Sequence, residues 1–118
     1  MKLINITHPG VDISLHRCDT FFSRFRGLML QRHLAEDEGI VLVCTPPGIV
    51  NSSIHMFFMR FDIAVVWLDA DFKVVDKTLA KKWHPYYASA RPAMYILELH
   101  PARISDYNLG DQVQMTNA

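Results

Sequence analysis

Hydrophobic and polar positions follow two rhythms along the first third of the chain. Leu3-Ile4-Asn5-Ile6-Thr7 predicts a first strand, stopped by Pro9-Gly10. Val11 to Cys18 predicts its partner, so an amino-terminal hairpin is expected. The period then changes. Phe21, Phe22, Phe25, Leu28 and Met29 fall at i, i+1, i+4, i+7 and i+8, which gathers them into one apolar stripe of a helix. Asp19 or Thr20 can cap its first amides, Arg24 and Arg26 flank the stripe, and Gly27 marks its approaching end.

Beyond that helix the pattern predicts mostly strands. Gly39 to Cys44 is a β-branched run ending at Thr45-Pro46-Pro47-Gly48. Ser53 to Met59 and Ile63 to Leu68 are apolar at both alternating positions, as in strands covered on both faces. Asp69-Ala70-Asp71 predicts a tight turn into a more exposed strand, Phe72 to Leu79. Residues 80–92 have no regular period. Met94 to His100 is a strand again, Pro101 to Tyr107 one helical turn, and Asn108 to Asp111 a turn into a last strand through Val113 and Met115. The expected fold is β-rich α+β: a small barrel or strongly curled antiparallel or mixed sheet of about eight strands, with one or two short helices.

Composition narrows this further. A chain of 118 residues makes a single domain, and at that size about 65% of the unfolded surface is buried without staples. Hydrophobic content of 50% against 20% charge excludes a disordered chain. Twelve basic residues against twelve acidic ones give no net charge to draw the domain to a polyanion. The amino end has no uninterrupted apolar run of signal-peptide length, and the longest such run, Ile63 to Leu68, is far too short to span a membrane. Cys18 and Cys44 lack a CxxC spacing and are expected to be reduced thiols. A soluble, cytoplasmic protein is expected.

Six short motifs occur in a recognisable order: Arg26-Gly27-Leu28-Met29, Glu38-Gly39-Ile40, His55 to Phe61, Leu68 to Val75, Ile96 to Leu99, and Gly110-Asp111-Gln112-Val113. Together they resemble the domain-of-unknown-function 192 family of small prokaryotic proteins, from about Val11 to Val113. The resemblance implies a compact β-barrel-like domain and no enzyme class. Two departures stand out. The family's Pro-x-Asp places its acid where this chain has Ala64, while Asp62, two residues earlier, is a candidate to replace it. The glycine usual after Glu-Leu-Pro-Ala is also absent, since Glu98-Leu99 leads into His100-Pro101-Ala102.

The candidate chemistry is sparse. His16, Cys18, His33, Cys44, His55, His84 and His100 include one close pair, His16-x-Cys18, where structural zinc needs two. No metal site and no cofactor is expected, and the scattered glycines form no phosphate loop. Arg26, Gly27, Met29, Phe58, Met59, Arg60, Asp62 and Glu98 form the candidate surface for a small molecule or protein partner. Arg60 with Asp62 and Glu98 could instead make a structural ion pair or an acid–base cleft. Lys81, Lys82, Trp83, His84, Tyr86 and Tyr87 interleave cations with aromatic rings, the pattern a single-stranded nucleic acid binder uses across residues 77–91. The zero net charge disfavours that reading. The leading expectation is a binding or accessory module, with an enzyme and a nucleic acid binder as alternatives.

Overall fold

A computed structural model describes residues 1–18, 33–50, 52–54, 56, 59–84 and 86–116. Its strands are β1 (Lys2–Asn5), β2 (Ile13–Cys18), β3 (Glu38–Gly48), β4 (Ile63–Leu68), β5 (Val74–Ala80), β6 (Ala93–Leu99) and β7 (Val113–Thr116), with a 3-10 helix, η1, at Pro101–Asp106. They form one mixed sheet in the order β5-β4-β6-β3-β2-β1-β7. The expected hairpin is present, with Leu3 opposite Ile13. β2 and β3 run parallel, from Ser14 opposite Glu38 to Cys18 opposite Leu42, and every other pair is antiparallel. The predicted helix after Asp19 lies outside the described residues.

The sheet curls so that its two faces bury separate cores. Leu3, Ile13, Val113 and Tyr107 pack with Ala64, Val66, Leu68, Leu97 and Leu99 on the inner face. Ile40, Leu42, Ile63, Val65, Trp67 and Ile96 pack on the other face with Met56 and Met59. β4 lies between the two layers, which is why all six of its residues are buried and why its sequence shows no alternation. The strand order is linear, with β5 and β7 at its edges. At one end those edges nevertheless meet. The Val74 amide donates to Asp111 O at 2.9 Å, the Gly110 amide to Val74 O at 2.8 Å, and the Val113 amide to Phe72 O at 3.0 Å.

Three expectations need correction. Ser53, Ile54, Met56 and Met59, the described residues of the predicted strand 53–59, belong to no strand of the sheet, and among them only Ile54 forms a bridge, to Tyr87. Ser52 and Ser53 donate their hydroxyls to Gly48 O and Val50 O at 2.5 and 2.7 Å, which turns the chain away from the sheet. The apolar residues Met56 and Met59 then plug the outer core as a loop. The described sheet therefore has seven strands. The strand β3 also runs on to Gly48, with its register broken between Val43 and Gly48, where Pro46 and Pro47 have no N–H for the ladder. Finally, Phe72 belongs to the turn rather than to β5. It sits at φ 62° and its amide donates to Asp69 O at 3.1 Å.

Gly39 is required by close approach. A Cβ there would lie 2.5 Å from Leu99 Cδ2 and 2.9 Å from the Glu98 carbonyl oxygen across the β3–β6 pair. The leucine can rotate, but the carbonyl belongs to a central strand. Gly39→Ala is expected to cost about 2 kcal/mol as an overpacked core change. Urea unfolding would measure it, and an unchanged midpoint would contradict the crowding.

Candidate functional site

The sequence-derived candidates separate into three places. Arg26, Gly27, Met29 and Phe58 lie outside the described residues. Met59 is buried in the outer core, and Arg60 is exposed in the turn after it. Glu98 is buried near the end of β6, between Ile40 of β3 and Val65 of β4. Asp62 stands three residues before Val65, about 10 Å along the strand direction. Among the described residues no ion pair joins Arg60 to Asp62 or Glu98. Asp62 and Glu98 thus lie at different levels of the sheet.

Asp62 is instead drawn to the long loop. Its Oδ1 accepts the Lys82 amide at 2.9 Å, and its Oδ2 lies 3.5 Å from Lys81 Nζ. The Lys82 amide, aided by the Lys81 charge, holds the Asp62 carboxyl below the usual carboxylate range against a small opposing desolvation. Ala64, where the family acid is expected, is fully buried in the inner core. Asp62 precedes β4 and turns to the 81–82 backbone instead.

The segment 81–87 is pinned on several sides. The Met56 amide donates to His84 O at 2.9 Å and the Trp83 amide to Met56 O at 2.7 Å. Ile54 and Tyr87 exchange amide bonds at 2.8 and 2.9 Å. The Lys81 amide donates to Tyr87 Oη at 3.0 Å, and the rings of His84 and Tyr87 lie 4.3 Å apart, tilted by 32°. Trp83 is held at φ 67°, a conformation that costs a bulky residue of order 1 kcal/mol or more. Trp83 and Tyr86 are 54% and 53% exposed on this fixed frame. Tyr87 is half-buried against the outer core. Lys77, the first cation of the expected nucleic-acid stretch, points to the opposite face and donates to Ile104 O at 2.9 Å.

One polar cluster escaped the sequence reading. Asp111 is buried, and its carboxylate accepts Asn5 Nδ2 at 2.8 Å and the Asn108 amide at 3.0 Å, with His8 Nδ1 also 3.0 Å away. Burial alone would raise its pKa, but the hydrogen bonds from Asn5, Asn108 and His8 outweigh it and hold the carboxyl below its usual range. Gly110-Asp111 was legible as a turn, yet nothing local points to partners more than a hundred residues away. Glu98 behaves oppositely. Desolvation raises its carboxyl from 4.5 to about 7. Among the described residues no three His, Cys, Asp or Glu side chains converge on a metal position, and no helix is long and apolar enough to cross a membrane.

Comparison with known proteins places this architecture. In shape, the domain is similar to a crystal structure of a protein of unknown function from Novosphingobium aromaticivorans, with a TM-score of 0.83 at 18% identity, covering 97% of this chain and 82% of that one. In sequence it is 48% identical over 80 residues to a UPF0127 protein of Thermococcus kodakarensis, covering 68% of this chain and 49% of the relative. It is 34% identical over 97 residues to a UPF0127 protein of Pyrococcus furiosus, covering 81% and 80%. The chain thus spans about half the length of the Thermococcus kodakarensis relative. None of these names assigns an activity. The motifs from Glu38-Gly39-Ile40 to Gly110-Asp111 lie within residues 4–115, which match the family profile DUF192, described as an uncharacterized ACR, and the chain belongs to that family.

Proposed function

We propose that the domain is a binding module that meets a small molecule or a protein partner with the 81–87 loop. The observation that carries this reading is Trp83: a large ring, more than half exposed, at positive φ on a frame bonded to Ile54, Met56 and Asp62. Backbone strain and exposed aromatic surface concentrate at functional positions. Tyr86 adds a second ring, and Lys81, Lys82 and His84 supply polar contacts beside it. The curled sheet serves as the barrel-like support, and the buried Cys44 thiol suits a reducing, cytoplasmic setting.

The two tryptophans make the test simple, because Trp67 is buried and only the Trp83 ring of the two is exposed. A thermal-shift screen over metals, nucleotides, sugars and amphiphiles is expected to yield a compound that raises Tm and changes Trp83 emission. Trp83→Ala should keep basal stability within about 0.5 kcal/mol and lose that compound's shift. The reading fails if every stabilising compound acts equally on Trp83→Ala. The geometry favours this partner class over nucleic acid, since Lys77 is bonded on the other face and Lys81 is paired with Asp62. Oligo-dT at low salt is expected to show no micromolar retention on filters.

A further inference from the structure

Glu98 is the acid that β6 carries into the outer core. It stands opposite Ile40 and Val65, both members of that core, so the three side chains share a face. The residue is only 6% exposed. Among the described residues no hydrogen bond or ion pair reaches its carboxyl. Its oxygens are nevertheless not sealed in, because the one fully enclosed, unpartnered polar side-chain atom among those residues is Arg103 Nε. The carboxyl therefore ends at a narrow opening on the outer face. An unpartnered acid in apolar surroundings costs stability, and such a group in a native fold marks a place where something else binds or reacts.

The surrounding strands supply no fixed cation. β3, β4 and β6 contain no lysine or arginine. Arg17 of β2 is opposite Val41, and Lys77 of β5 is opposite Val66. Both partners are inner-core residues, so these two bases belong to the other face. On the outer face the titratable groups of the described strands are His16, Glu38, Cys44 and Asp76, with His100 just beyond β6 and Tyr87 packed from the loop. Several are already engaged. Glu38 Oε1 accepts the Ala35 amide at 3.1 Å, His100 Nδ1 the Ala102 amide at 3.0 Å, and Asp76 the Lys77 and Ala90 amides at 2.8 Å. A cation from outside the chain would complete the Glu98 carboxylate. Guanidinium suits it better than ammonium, because it is weakly hydrated and its planar fork matches both carboxyl oxygens.

We propose that Glu98 anchors a small organic cation, a guanidinium on an apolar body, with the head paired to the carboxylate and the body against Ile40 and Val65. The site uses none of residues 81–87 and does not rest on the reading given for them.

The probe is n-butylguanidinium, with neutral n-butylurea as its uncharged match. The readouts are the Glu98 carboxyl carbon and the Ile40 and Val65 amides, followed by NMR. In the free protein the carboxyl is expected to titrate at about 7, since burial raises it and no cation opposes that. At pH 8 millimolar butylguanidinium is expected to shift all three signals saturably, and butylurea to leave them in place. Pairing needs the ionised acid, so the affinity is expected to be about tenfold lower at pH 6 than at pH 8. Binding at Asp62 or Asp111, whose carboxyls lie below the usual range, would be equally strong at both pH values. Glu98→Gln is expected to weaken the amide response at pH 8 at least tenfold. A Glu98 carboxyl already ionised at pH 6 in the free protein, no saturable shift at pH 8, equal affinity at the two pH values, or an undiminished amide response in Glu98→Gln would each overturn the proposal.

Discussion

Replacing Asp111 with alanine is expected to lower the stability of this domain by about 4 kcal/mol. The carboxylate is buried and serves Asn5 Nδ2, the Asn108 amide and His8 Nδ1 at 2.8–3.0 Å. Hydrogen bonds to a charged group are worth about 1.5–3 kcal/mol each, and the donors left behind keep their desolvation cost. The His8 share is small because that ring is largely exposed, so Asn5 and Asn108 carry most of the loss. The Asp111 backbone oxygen meanwhile accepts from Val74, so the same turn joins β7 to β5. A fall in Tm of roughly 10–20 °C is expected. A double-mutant cycle should find strong coupling of Asp111 with Asn5 and weak coupling with His8. Equal coupling to both would show that burial does not govern this cluster.

The second large effect concerns Glu98 and pH. Its carboxyl titrates near 4.5 when the chain is unfolded and near 7 in the fold, because burial penalises the charged form. Between those values the folded state holds a proton that the unfolded state has released. Stability from this group is therefore full below about 4.5, falls as pH rises to about 7, and is flat above. At about 1.4 kcal/mol per pH unit, the total loss is about 3 kcal/mol. Glu98→Gln removes the ionisation and is expected to match the native protein at pH 4.5 and exceed it by about 3 kcal/mol at pH 8. Urea unfolding at pH 4.5, 6 and 8 would show it, and parallel profiles for the two proteins would refute it. Asp111 acts in the opposite sense. Its lowered pKa contributes stability above the usual carboxylate range that is lost as pH falls through the depressed value. From these two groups, stability peaks near the ordinary carboxylate pKa.

Both effects rest on residues whose importance was unequally visible in the sequence. Glu98 stood out as an acid within Ile96-Leu97-Glu98-Leu99, but its burial depends on β6 lying between β3 and β4. Asn5 and His8 stood out in no way, because their partner Asp111 is 106 and 103 residues away. The 81–87 loop was legible as a cluster of cations and rings, yet its frame was not. Asp62, read as part of a different group, became its support. The segment 53–59 misled for a related reason. Met56 and Met59 are buried as a strand's residues would be, but they fill the outer core from outside the sheet.

The sequence by itself determined the local elements: the hairpin stopped at Pro9-Gly10, the doubly covered strand Ile63 to Leu68, the 3-10 turn after Pro101, and family membership. These follow from periodicity and turn chemistry, which act over a few residues. Only the tertiary structure decided which polar groups meet. Seven described strands paired out of chain order bring Asn5 to Asp111 and Asp62 to Lys82, and their register sets Glu98 opposite Val65 rather than beside Asp62. Side-chain chemistry at a site depends on distances of about 3 Å, and such distances between remote residues are set by strand order and burial, which no local pattern encodes.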